Sequence, residues 1–129
     1  METQASRAAE TETVDVLIVD DQPPFRAVAR TLVSLIAGWR VVAEVASGED
    51  AVAAAAGSAP SVVLMDINLP GINGIEATRQ IVAARPGVRV VLLSTYAADD
   101  LPADATDCGA AAYIRKEDLT PARLRDVLG

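Results

Sequence analysis

Short apolar runs of four to seven residues recur along this chain and alternate with longer stretches of helical periodicity. Residues 14–20, 40–46, 61–66, 89–95 and 111–114 read as strands, and their near-continuous hydrophobicity predicts burial on both faces. Between them, residues 24–36 set Phe25, Val28, Ala29, Leu32 and Ile36 on one helical stripe, with proline in the first turn and Gly38 beyond the end. Residues 49–56 form an alanine-rich helix stopped by Gly57 and Pro60, and residues 74–84 form another stopped by Pro86 and Gly87. Residues 121–128 make a last amphipathic helix, whereas Pro102 and Gly109 leave room for only a short fourth helix between 101 and 108. Parallel neighbours need crossover connections, so five strands alternating with helices imply a parallel sheet covered on both sides.

With 129 residues the chain is long enough for one real core and too short for two domains. Aromatics are only 3% of it, so that core has to be built from Val, Leu, Ile and Ala. Residues 1–13 are polar and aperiodic and read as a disordered leader, with the folded domain spanning 14–129. A net charge of -7 argues against a nucleic-acid surface in this segment, because duplex binding relies on Lys and Arg neutralising phosphates. With no His and the single Cys108, a Cys/His zinc site is excluded, and any metal chemistry must use oxygen. Cys108 itself reads as a small buried apolar residue. The absence of a membrane-length apolar stretch and of a secretory signal points to the cytoplasm.

In sheets of this kind ligands bind beyond the carboxyl ends of the strands. Asp20 and Asp21 follow the first strand, Asp66 the third, Ser94 and Thr95 the fourth, and Lys116 the fifth. Three carboxylates gathered at one edge repel one another unless protonation or a cation relieves them, and a hard divalent ion such as Mg²⁺ is the economical answer. A carboxylate can also attack a phosphoryl group, a transfer that depends on in-line positioning and on cations matched to the equatorial oxygens. Blander roles compete at each position: Asp20 and Asp21 as caps for the first helix, Ser94 as a strand-end hydrogen-bonder, Lys116 as a solvated charge.

The runs VLIVDDQPPFR, VVLMDINLPGINGIEA, VVLLSTYAADD and GAAAYIRKEDL resemble, in this order, the receiver domains of bacterial two-component response regulators, most closely those of NarL/FixJ-type (LuxR-type helix-turn-helix) regulators. The resemblance implies a flavodoxin-like, doubly wound α/β fold with strand order 2-1-3-4-5. It implies that Asp66 is phosphorylated by a sensor histidine kinase with Mg²⁺, held by Asp20, Asp21, Asp66 and the backbone carbonyl of Asn68. Ser94 and Lys116 would then bind the phosphoryl group, and Tyr113 would turn inward as an aromatic switch. The surface of the fourth helix, fifth strand and fifth helix would carry the output, as a homodimer face or toward a DNA-binding domain outside this chain. Such a domain is a phosphoacceptor and not an enzyme with a separate substrate. Pro70, Gly71 and Gly74 match the family's turn after the phosphorylated strand.

Glu117 follows Lys116 where many receivers have proline, which removes the expectation of a cis peptide there. Thr95 is larger than the small residue common at its position, so Thr95 and Tyr96 are expected to crowd an attacking water and lengthen the life of an aspartyl phosphate. Two readings stay beside the DNA-binding one: a free-standing receiver acting through protein contacts, and a receiver-like scaffold regulated without phosphorylation. A haloacid-dehalogenase-type phosphatase would carry Asp-x-Asp at the first strand, whereas this chain has Asp20-Asp21 there and its candidate nucleophile on the third.

Overall fold

The computed structural model describes residues 13–95 and 103–128. Its order is β1 (Val14–Val19), α1 (Pro23–Ser34), β2 (Trp39–Val45), α2 (Gly48–Ser58), β3 (Val62–Asp66), α3 (Gly74–Ala84), β4 (Arg89–Ser94), β5 (Ala112–Arg115) and α4 (Pro121–Leu128). The five strands form one parallel sheet in the order β2-β1-β3-β4-β5, as expected. Ala103–Thr106 forms a 3-10 turn, where a short helix was expected between 101 and 108. Residues 96–102, including Tyr96, lie outside the description.

Side-chain alternation along the strands divides the core in two. Leu17, Val19, Val63, Met65, Val90 and Leu92 point to one face, against α2 and α3. Val16, Ile18, Leu64, Val91 and Leu93 point to the other, against α1 and α4. The central β3 is buried throughout, but β2 at the sheet edge is only half-buried, so its apolar run did not require cover on both faces. Cys108 is buried as expected, and Trp39 is half-buried at the entry to β2.

Three local expectations need correction. The α1 stripe is rotated: Ala29 and Val33 are fully buried, while Val28 is 50% exposed, because a helix turning 3.6 residues keeps 29, 33 and 36 in line and swings 28 to the flank. Helix α2 runs through Gly57 to Ser58, and Ala59 takes the left-handed conformation that ends it, with φ 47°. Helix α1 stops at Ser34 and not at Ile36; Ile36 nevertheless packs in the core from the turn that follows. Among the described residues no peptide bond is cis.

The carboxyl ends of all five strands face one edge, because every strand is parallel to its neighbours. At that edge Gly74 fits directly against the backbone of Asp66: an added Cβ would overlap the Asp66 carbonyl oxygen. Only glycine lets α3 begin so close to the end of β3.

A carboxylate cluster at the strand ends

Asp20 follows β1, and its amide continues the ladder by donating to the Val45 carbonyl at 3.1 Å. Its side chain is fully buried. Oδ1 accepts the amide of Gln22 at 2.8 Å, which fixes the backbone just ahead of α1, while Gln22 occupies the cap position without a side-chain cap bond. Asp20 therefore performs part of the capping role while its second oxygen stays available. Oδ2 lies 2.7 Å from Lys116 Nζ but has no directed hydrogen bond, so it is a buried oxygen held by charge alone.

Asp66 ends β3 and is 4% exposed. Its Oδ1 accepts the Asn68 amide at 3.3 Å and lies 3.6 Å from Lys116 Nζ. Burial pushes the Asp66 carboxyl up to about 6, reinforced by the negative charges of Asp20 and Asp21 and opposed by Lys116 and the Asn68 amide. Asp21 is exposed at the mouth of the site. Asp20, Asp21 and Asp66 each offer an oxygen within 4.8 Å of the others.

These donors suit a hard divalent cation. All are carboxylate oxygens, one is buried without a hydrogen-bond donor, and their summed charge exceeds what Lys116 alone offsets. Lys116 is not the solvated charge that most lysines are: its side chain is 12% exposed and bridges Asp20 and Asp66.

Ser94 is buried at the end of β4, one residue past Leu93, the register partner of Asp66. Thr95 beyond it is exposed. Tyr113 pairs with Leu92 in register and packs, half-buried, against the apolar cluster shared with α2 and α3. The fold thus brings Asp20, Asp21, Asp66, Asn68 and Lys116 together, sets Ser94 at the same edge, and places Tyr113 in packing on β5.

Two residues escaped the sequence patterns. Phe25 sets its ring 4.5 Å beneath Lys116 Nζ, a cation–π contact that helps keep the ammonium over the carboxylates. Arg26 donates to the Asp20 carbonyl at 2.7 Å and approaches Glu44. Both lie inside the run that follows Asp21, where helical periodicity marks Phe25 only as core.

The model for the response regulator receiver domain matches residues 16–128. Among curated proteins the chain is similar to the response regulator UvrY of Escherichia coli (strain K12), with 42% identity over 103 residues, 80% of this chain and 47% of UvrY. It is 37% identical to GacA of Pseudomonas aeruginosa, over 80% of this chain and 48% of that one. The chain therefore spans about half the length of these relatives. Among solved structures, a LuxR-family two-component response regulator from Aurantimonas sp. SI85-9A1 has a TM-score of 0.79 at 33% identity, covering 88% of this chain and 81% of that one. The signal receiver domain of a putative response regulator NarL from Mycobacterium tuberculosis has a TM-score of 0.78 at 29% identity, covering 91% and 98%. With the model matched along nearly the whole fold and the acidic cluster at the strand ends, this chain belongs to the response regulator receiver domain family.

Proposed function

We propose that Asp66 is the phosphoacceptor of this receiver and that a sensor histidine kinase supplies the phosphoryl group. The observation that carries this reading is a buried carboxylate between a second buried carboxylate and a lysine, with a third carboxylate at the mouth. In the transfer an Asp66 oxygen forms the new bond to phosphorus as the phosphorus–nitrogen bond of a phosphohistidine breaks, and the imidazole leaves and takes up a proton.

Asp20, Asp21, Asp66 and the Asn68 carbonyl would hold Mg²⁺, which supplies positive charge to the equatorial oxygens. Before transfer, Lys116 and the Asn68 amide hold the Asp66 carboxylate in place. Afterwards Lys116 and Ser94 bind phosphoryl oxygens, and Tyr113 turns inward behind Ser94. The surface spanning the β4–β5 crossover, β5 and α4 then changes its preferred partner, a second copy of this chain or an output domain. UvrY and GacA extend to about twice the matched length, which leaves room in those regulators for an output domain, and in this reading the output is DNA-binding and the regulator cytoplasmic. Among the described residues no helix is long and apolar enough to cross a membrane. The receiver proper occupies 14–129, with 1–13 as a leader.

Intact-protein mass after incubation with Mg²⁺ and acetyl phosphate tests the reading. The expected result is one added phosphoryl group, absent from Asp66→Asn and lost on chelation. An unmodified wild-type chain, folded and run beside a working receiver, would overturn it.

A further inference from the structure

The loop from Ile67 to Asn73 leads away from Asp66, and both of its ends are fixed. At one end the Gly74 amide donates to the Ile67 carbonyl at 2.8 Å, and Asn73 caps α3 by accepting the Glu76 amide at 2.9 Å. Next to Asp66, the Asn68 amide sets the carboxylate through Oδ1. The middle of the loop is tied to a different element: Glu49, in the first turn of α2, accepts the Ile72 amide through Oε2 at 3.1 Å, across 23 residues of sequence.

Two glycines make room for this tie. Gly71 has φ +72°, and a Cβ there would run into the Glu49 carboxylate. Gly48 is buried with no space for a Cβ against Ile72. The start of α2 and the loop crest therefore fit together as a clasp, with one charged acceptor bonding one backbone amide.

We infer that Glu49 is a positioning residue for the phosphoacceptor site: by clasping Ile72 it fixes the loop whose Asn68 amide orients Asp66, and so sets the affinity of the carboxylate cluster for a divalent cation. The inference rests on the reading of that cluster as a Mg²⁺ site. Glu49 is exposed and is not one of the clustered carboxylates, so the bond from the Ile72 amide to its Oε2 is the contact through which it acts on the loop.

Calorimetric titration of Mg²⁺ into the wild-type chain, Glu49→Ala and Glu49→Gln tests it, beside amide hydrogen exchange at Ile72 and Asn68 and thermal unfolding. Alanine is expected to weaken Mg²⁺ binding about 5- to 10-fold, at or below the lower end of what outer-shell partners of metal ligands contribute, because Glu49 bonds the loop and not a ligand side chain. It should speed exchange at both amides and move the unfolding midpoint by only a few degrees. Glutamine keeps an acceptor oxygen and should restore binding to within about twofold of wild type. Wild-type affinity in the alanine variant, or a glutamine variant as weak as alanine, would overturn the inference while leaving the Mg²⁺ site intact. Unfolding of the alanine variant would reveal a general structural anchor and overturn it too. A wild-type chain that binds no Mg²⁺ would remove the cation site itself, and the inference with it.

Discussion

Asp66 carries an internal conflict that can be measured. Its folded value of about 6 lies above the ordinary 3.8, so between those values the folded chain holds a proton that the unfolded chain has released. In metal-free protein, stability must therefore fall as pH rises from about 4 through 6, and the destabilisation is complete above the folded value. Asp66→Asn removes the buried charge and keeps an acceptor for the Asn68 amide. In chelator at pH 8 it should stabilise the chain by at most about 3 kcal/mol, with the gain vanishing near pH 4. Urea unfolding at several pH values would show this, and a pH-independent difference would sink it. Lys116 acts in the opposite direction: removing it leaves two buried carboxylates facing each other, and Lys116→Met should cost about 3 kcal/mol at pH 8. Thr95, exposed at the end of β4, makes a narrower prediction. If it crowds the water that attacks the aspartyl phosphate, Thr95→Ala will speed loss of the phosphoryl mass several-fold, and an unchanged rate would end that idea.

At the scale of elements, the tightest fits are backbone fits, and these decide what each junction tolerates. Helix α3 can start only where Gly74 lets it touch the Asp66 carbonyl, so Gly74→Ala should displace the helix start and cost more than about 3 kcal/mol, a loss visible as a large drop in unfolding midpoint. The end of α2 offers the reverse case. Ala59 has φ 47°, a conformation that costs a non-glycine residue about 1–2 kcal/mol. Ala59→Gly should therefore raise stability by about 0.5–1 kcal/mol once the entropy of the unfolded chain is set against the relief. Gly57, expected to end this helix, lies within it with open space around its Cα, so replacing it with Ala should also stabilise, by about 0.5–1 kcal/mol. Helix α4 is fastened at its end by Arg89 of β4, which donates to the Leu128 carbonyl and ties this last helix to the sheet.

For the whole molecule, a cation held by the carboxylate cluster, as proposed, would link its binding to folding. A ligand that binds only the folded chain adds stability, about 2.7 kcal/mol at one hundred times its dissociation constant. Mg²⁺ should raise the unfolding midpoint more at pH 8 than at pH 5, because at pH 5 a proton on Asp66 competes with it. Equal shifts at both pH values would show that the ion binds elsewhere. The sequence by itself determined the alternation of strand and helix, the parallel sheet and the edge where Asp20, Asp66, Ser94 and Lys116 meet, because side-chain period and strand direction are local properties repeated along the chain. It was silent or misleading where the deciding contact is distant in sequence. The rotation of α1 that exposes Val28, the Phe25 ring beneath Lys116 and the clasp of Glu49 on Ile72 join residues 23 to 91 positions apart or depend on which face of the sheet a helix covers. Ala59 marks the local counterpart: Pro60 after it signals a stop, because the residue before a proline is disfavoured in the helical region, but only the folded chain shows that Ala59 takes the left-handed conformation there.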